Sequence, residues 1–156
     1  LAEIQALVPR VLDCLGVRFG ASHTELKIDE KGGIKLIECG ARMGGDCIGS
    51  DLVPVSRGVD FVKGCVDVAC GRAPMLTPAH EGRVAAIRFI FSQRDLDSLE
   101  AIRRQYPQAL CRVSDILPLD GREISDSSTR YGFFILSAAT MAEMLEILRY
   151  VDFDLS

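Results

Sequence analysis

Lys31-Gly32-Gly33 is a turn signal set between two stretches of strand character, and it obliges the chain to fold back on itself. Before it, Val17–Asp29 shifts toward alternation through Val17, Phe19, Ala21, Leu26 and Ile28, with a break near Ser22-His23. After it, Ile34–Cys39 reads as a second short strand, so the two form an antiparallel hairpin. Glu25 lies on one strand and Glu38 on the other, with the turn almost midway, so the carboxylates come opposite or nearly opposite each other. Like charges so placed are destabilising by themselves. They need a cation, a shared proton or the distance that solvent provides. A hard divalent ion resolves the repulsion, and magnesium typically takes one or two carboxylates plus substrate phosphates. Splaying into water on an exposed face is the other reading that spacing leaves open.

The residues around this pair extend the candidate site. Arg42 follows Glu38 just past the strand end, and its planar fork suits a phosphate or a carboxylate. The plain alternative is an ion pair with Glu38. Gly40, Gly44 and Gly45 allow close backbone approach to a ligand, or simply make a loop. His23 either contacts substrate or phosphate, tunes Glu25, or is structural. Lys27 alternates to the face of Glu25, where it neutralises a carboxylate, touches a phosphate or stays solvated. No Walker-type or dinucleotide-type glycine spacing is present.

The remaining chain reads as alternating helices and strands. Leu1–Leu15 carries a helical stripe of Ile4, Leu7, Val8, Val11, Leu12 and Leu15, interrupted by Pro9 and stopped by Gly16. Gly40–Gly49 reads as a loop, Val59–Ala69 as a helix, and Gly71–Gly82 as a connector. Beyond Arg83 the order is strand (Val84–Phe91), helix (Asp95–Tyr106), strands (Ala109–Leu117 and Tyr131–Ala138) and helix (Thr140–Tyr150). Thr140 and Glu143 suggest a capping box. That order predicts a small α+β lobe with helices on one sheet face.

Composition limits the function classes. A net charge of -4 over 156 residues gives no basis for nucleic-acid or anionic-membrane binding. No apolar run reaches the roughly 20 residues that span a bilayer. The six cysteines, Cys14, Cys39, Cys47, Cys65, Cys70 and Cys111, form no C-x-x-C pair and have no His at ligand spacing. Several lie in apolar stretches, where Cys acts as a small buried hydrophobe, so free thiols in a reducing cytoplasm are expected. The opening Leu1-Ala2-Glu3-Ile4 lacks an initiator Met, and the chain reads as a fragment of a longer protein.

Gly20-Ala21-Ser22-His23-Thr24-Glu25-Leu26-Lys27 and Leu36-Ile37-Glu38-Cys39-Gly40-Ala41-Arg42-Met43-Gly44-Gly45-Asp46 resemble the end of the ATP-grasp fold. Among ATP-grasp enzymes the likeness is to the carboxylate–amine ligases, which include L-amino acid ligases and carbamoyl-phosphate-synthase-like proteins. It covers Val17 to about Gly71, and more weakly Arg83–Asp154, where Gly121 and Arg130-Tyr131-Gly132 look like the lobe that follows the grasp. The resemblance implies an α+β fold: the C-terminal half of an ATP-grasp domain over residues 1–82, an antiparallel sheet with helices, then a small C-terminal lobe over 83–156. It implies Glu25 and Glu38 as ligands of Mg2+ or Mn2+, and Arg42 as the catalytic contact to an acyl phosphate or substrate carboxylate. His23 is the further substrate- or phosphate-binding candidate.

By the same resemblance, a carboxylate attacks the γ-phosphate of ATP, giving an acyl phosphate and ADP, and an amine then displaces phosphate. Many ATP-grasp enzymes carry Asn where this chain has Gly40, which points to the amino acid ligase branch and leaves a second metal's coordination unspecified. Adenine-binding residues and phosphate-holding lysines belong to upstream segments outside this chain, so the chain alone is expected not to turn over ATP. The expected partners are a small-molecule carboxylate, an amine and the missing N-terminal part of the same protein. A homodimer is compatible with the sequence. The alternatives are a bicarbonate-using carboxylase or carbamoyl-phosphate-type enzyme, and a non-catalytic grasp-derived binding module.

Overall fold

The hairpin is set by Asp29. Its carboxylate accepts from the backbone N–H groups of Lys31 and Gly33 at 3.0 and 2.8 Å, while Asp29 N–H donates to the Gly33 carbonyl at 3.0 Å. Gly32 takes φ +84°, the left-handed position that ends a short hairpin loop. The strands are β1 (His23–Ile28) and β2 (Ile34–Gly40), antiparallel. The computed structural model describes residues 2–151. Leu1, at the head of the expected first helix, and residues 152–156, which include the end of the resembling stretch at Asp154, lie outside the described residues.

Two compact units divide the chain: the residues up to Ser50 with Asp60–Leu76, and Asp51–Val59 with the residues from Thr77 on. The first holds helix α1 (Ala2–Cys14), which accommodates Pro9, then β1 and β2, and a later helix. Helix α1 closes with Gly16 at φ +70° and Val17 N–H donating back to the Leu12 carbonyl at 2.9 Å, the bond of a left-handed helix cap. A π-helical turn (Ile48–Leu52) and helix α2 (Val53–Arg57) follow the hairpin loop. Helix α3 (Phe61–Ala69) returns to the first unit, its first turn capped by the Asp60 carboxylate on Lys63 N–H at 2.9 Å. Inside α3, buried Asp67 is held by Lys63 and by Arg72 at 3.0 Å, which keep its carboxyl below the usual range. Every buried hydrophobic side chain among the described residues belongs to the second unit. In the first, Leu15, Phe19, Ile28, Leu36 and Ile37 stay exposed.

The second unit is an antiparallel sheet in the order β3 (Val84–Ile90), β5 (Gly132–Ala138), β4 (Leu110–Val113). Central β5 is buried from Phe134 to Ala138, which explains its unbroken apolar run. Helices α4 (Gln93–Gln105) and α5 (Met141–Leu148) add Leu99, Ile102, Met144 and Ile147 to one core with Ile90, Phe134 and Leu136. Asp95 anchors α4: it accepts from Phe91 N–H, Ser92 N–H and Arg88 Nε at 2.8–3.0 Å.

Several expected boundaries move for identifiable reasons. Val17–Ser22 is not strand; β1 begins at His23, where pairing with Gly40 becomes available. Helix α4 starts at Gln93, because Ser92 and Asp95 form the capping box that places its first turn. The expected strand Ala109–Leu117 shortens to Leu110–Val113 after a 3-10 turn at Pro107–Ala109. At α5, Thr140 Oγ1 accepts from Glu143 N–H at 3.2 Å, but the Glu143 carboxylate caps Ala139 N–H at 2.8 Å instead of Thr140. None of the six cysteines is fully buried: Cys14, Cys70 and Cys111 are exposed, and Cys39, Cys47 and Cys65 are half-buried. Arg130-Tyr131-Gly132 has structural contacts: Arg130 stacks 3.9 Å from the Phe89 ring centroid, Tyr131 OH donates to Asp120 at 3.1 Å, and a Cβ at Gly132 would meet Ser114 Oγ at 2.8 Å.

Candidate functional site

Glu25 and Glu38 are Cα partners in the hairpin, and antiparallel partners share a face. The pairing is not the simple consequence of the turn. From Ile28↔Ile34 through Leu26↔Leu36 the ladder keeps one register, and between Leu26 and Glu25 it shifts by a residue. Ile37 is the extra residue of this β-bulge, a device found next to sites where a side chain must be re-aimed. One face therefore carries His23, Glu25 and Lys27 from β1 with Lys35, Glu38 and Gly40 from β2. The other carries Thr24, Leu26 and Ile28 with Ile34, Leu36 and Cys39, where Thr24 Oγ1 and Cys39 Sγ lie 3.5 Å apart.

His23 sits at the start of the charged face. Its Nε2 lies 3.3 Å from Glu25 Oε1. On its other side, a Cβ at Gly44 would fall 2.9 Å from His23 Nδ1 and 3.0 Å from Ile48 Cβ and Cγ2. Glycine at 44 is thus what lets the loop after β2 lie against the ring. Within the chain His23 therefore contacts Glu25 and lies against the loop at Gly44.

Arg42 does not pair with Glu38. Its Nη1 donates to the Met43 carbonyl at 3.0 Å, and its side chain lies along Gly40, where a Cβ would meet Arg42 Cγ at 3.5 Å. The arginine is exposed, which leaves donors of its planar fork open to solvent. Further along, Asp46 and Cys47 hold φ values of +47° and +62°, a left-handed conformation that costs on the order of 1 kcal/mol per non-glycine residue. A Cβ at buried Gly49 would meet Met43 Cβ and Sδ at 3.0 Å, so a second glycine closes this loop.

Chemically, the face offers two solvent-facing carboxylates side by side, the donor set of a hard divalent ion that completes its shell with water and phosphate oxygens. Among the described residues no group of three or more His, Cys, Asp or Glu is arranged to hold a metal ion as a closed cage. Sequence reasoning missed Lys35, which lies directly opposite Lys27, and the contact between His23 and Gly44. Asp29-x-x-x-Gly33 is the signal for the first, since it fixes the turn and hence the turn-side register. The second joins residues far apart in sequence and had no local signal.

No protein-family model matches the chain, and no curated protein does. Solved structures do. An L-amino acid ligase from Bacillus licheniformis is similar with a TM-score of 0.73 and 24% identity over 96% of this chain. A phosphoribosylglycinamide synthetase from Anaerococcus prevotii is similar with a TM-score of 0.69 and 15% identity over 92% of the chain. The chain spans 38% of the length of each. The chain has the α+β fold of one part of each of these proteins, antiparallel sheets with helices. No helix among the described residues is long and apolar enough to cross a membrane.

Proposed function

We propose that this chain is part of an ATP-dependent carboxylate–amine ligase and supplies its metal-binding and anion-binding residues. The observation that carries the reading is the pairing of Glu25 with Glu38 on one open face of the hairpin. Those two carboxylates would hold Mg2+ or Mn2+, which on binding neutralises charge on the β- and γ-phosphates of ATP. His23, 3.3 Å from Glu25, orients that carboxylate. Arg42 stands on the loop just beyond Glu38 and offers its guanidinium to an acyl phosphate or a substrate carboxylate. The donor carboxylate attacks the γ-phosphorus, ADP leaves, and the amine then displaces inorganic phosphate from the acyl phosphate. No covalent enzyme nucleophile is required, so the half-buried cysteines stay outside the chemistry.

Gly40 points to the amino-acid-ligase branch by the sequence resemblance, and the Arg42 side chain lies along it at ordinary contact distance. The exposed apolar residues Leu15, Phe19, Leu36 and Ile37 suit cover by the remainder of a longer protein, as does a match to 38% of each neighbour. Partly exposed free thiols suit a cytoplasmic setting.

The test is Mn2+ titration followed by electron paramagnetic resonance. Glu25→Gln and Glu38→Gln should each weaken Mn2+ binding by roughly tenfold or more, as loss of a charged ligand does. Binding that neither substitution alters would overturn the metal assignment. ATP hydrolysis by the isolated chain, abolished by Glu38→Gln, would contradict the view that the chain is only part of the catalyst.

A further inference from the structure

The three-stranded sheet of the second unit has two edges, β3 and β4, with β5 between them. An edge strand presents backbone N–H and C=O groups that pair readily with another chain, and proteins protect such edges with short strands, bulges, prolines or free charges. Edge β4 carries two of these protections. It is four residues long (Leu110–Val113), and its pairing with β5 is interrupted by a register shift between Leu110 and Arg112. Edge β3 carries none of them. Its seven residues, Val84–Ile90, keep one unbroken register with β5 and include no proline. Its one charged side chain, Arg88, is turned to Asp95: Nε donates to Oδ1 at 2.8 Å, and Nη2 lies 2.7 Å from the same oxygen. Asp95 is 3% exposed, so this ion pair neutralises the only charge on β3 that would hold a second strand off. The backbone bond that ties this segment to α2, from Arg83 N–H to the Ser56 carbonyl at 2.9 Å, falls just before the strand begins.

We propose that two copies of this chain associate through β3, each laying its β3 antiparallel to the other and joining the two three-stranded sheets into one. The side-chain order of the edge is what suits it to a second copy. About a two-fold axis at Ile87, residue 86 of one copy faces residue 88 of the other, and residue 85 faces residue 89. Ala86 then lies opposite Arg88, and Ala85 opposite Phe89. Each bulky side chain meets a small one, and the two arginines are never directly opposite. Val84, Ile87, Phe89 and Ile90 are residue types that pack well on a pleated surface. Strand addition of this kind draws its affinity from main-chain hydrogen bonds and its specificity from the side chains that alternate along the edge.

Sedimentation equilibrium and amide hydrogen exchange on the chain itself test this. Wild type should sediment as two chains at high concentration, and the backbone amides of residues 84–90 should gain protection as concentration rises. Ile87→Lys sets two ammonium groups opposite each other at the axis, so it should return the mass to that of one chain while circular dichroism shows the fold intact. If Ile87→Lys does not fold, the exchange experiment on wild type decides alone. Wild type that sediments as one chain at every concentration overturns the proposal. So does a dimer that gives residues 84–90 no added protection, or one that a folded Ile87→Lys leaves unchanged. Protection confined to α1 or to the hairpin would assign the contact to the first unit instead.

Discussion

Glu25 faces Glu38 across the hairpin although every pair nearer the turn follows a register one residue shorter. Had that register run on, Glu38 would have faced Thr24, on the apolar side with Leu26 and Leu36. The bulge at Ile37 is what gives the two carboxylates a common face. Ile37 is itself largely exposed (61%), so its insertion gains no burial within the chain.

The pairing predicts opposite effects on stability and on binding. Without metal, Glu38→Gln removes a cross-strand repulsion, and the chain should gain a few tenths to about 1 kcal/mol. The same substitution should lose Mn2+ affinity. Urea melts with and without Mn2+ would show the two signs. A loss of stability in the metal-free variant would mean the carboxylates do not repel.

Two glycines should respond in opposite directions to alanine. At Gly44 a Cβ meets His23 Nδ1 at 2.9 Å and the branch carbon of Ile48 at 3.0 Å, so Gly44→Ala should cost about 1–3 kcal/mol through overpacking. At Gly64, inside α3, the same Cβ finds Pro74 Cβ and Leu76 Cδ2 at 3.6 Å, ordinary contact distance. Gly64→Ala should stabilise by about 0.5–1 kcal/mol through lower unfolded-state entropy. Thermal melts of both variants check the pair.

Asp95→Ala should be among the more damaging substitutions in the second unit. It strips partners from Arg88 and from the backbone N–H groups of Phe91 and Ser92, all next to a carboxylate that is 3% exposed. The expected loss is about 2–3 kcal/mol, because two backbone N–H groups and Arg88 lose a buried charged acceptor. Asp95→Asn, which keeps an acceptor oxygen, should lose less.

Asp67 gives the stability curve an acid limb. Hydrogen bonds from Lys63 and then Arg72 hold its folded pKa below the ordinary 3.8. The unfolded state therefore binds the proton first. The contribution of Asp67 is present above about pH 4 and is lost as pH falls through the folded pKa. Denaturant midpoints measured from pH 7 down to pH 2 should fall more steeply for wild type than for Asp67→Asn.

Much of this was legible in sequence because it is local. Alternation and the Lys31-Gly32-Gly33 turn marked the hairpin, Gly16 marked the end of α1, and the apolar run Phe133–Leu136 marked the central strand β5. The π-helical turn and α2 were not legible. They fall in a stretch with Pro54 and no helical stripe, where backbone bonds such as Arg83 N–H to the Ser56 carbonyl (2.9 Å) hold the segment to the second unit.

The sequence by itself placed two glutamates on adjacent strands, opposite or nearly opposite across a turn, because strand spacing and glycine chemistry act within a few residues. It also supplied a family resemblance, and the fold is similar to that of part of an L-amino acid ligase. Only the tertiary structure decided which face each carboxylate takes, that Lys27 faces Lys35, and that Gly44 lies against His23. A one-residue change of register reverses a side chain's face at almost no change in local composition. Such a choice leaves no periodic trace in the sequence and is fixed only when the strands pair.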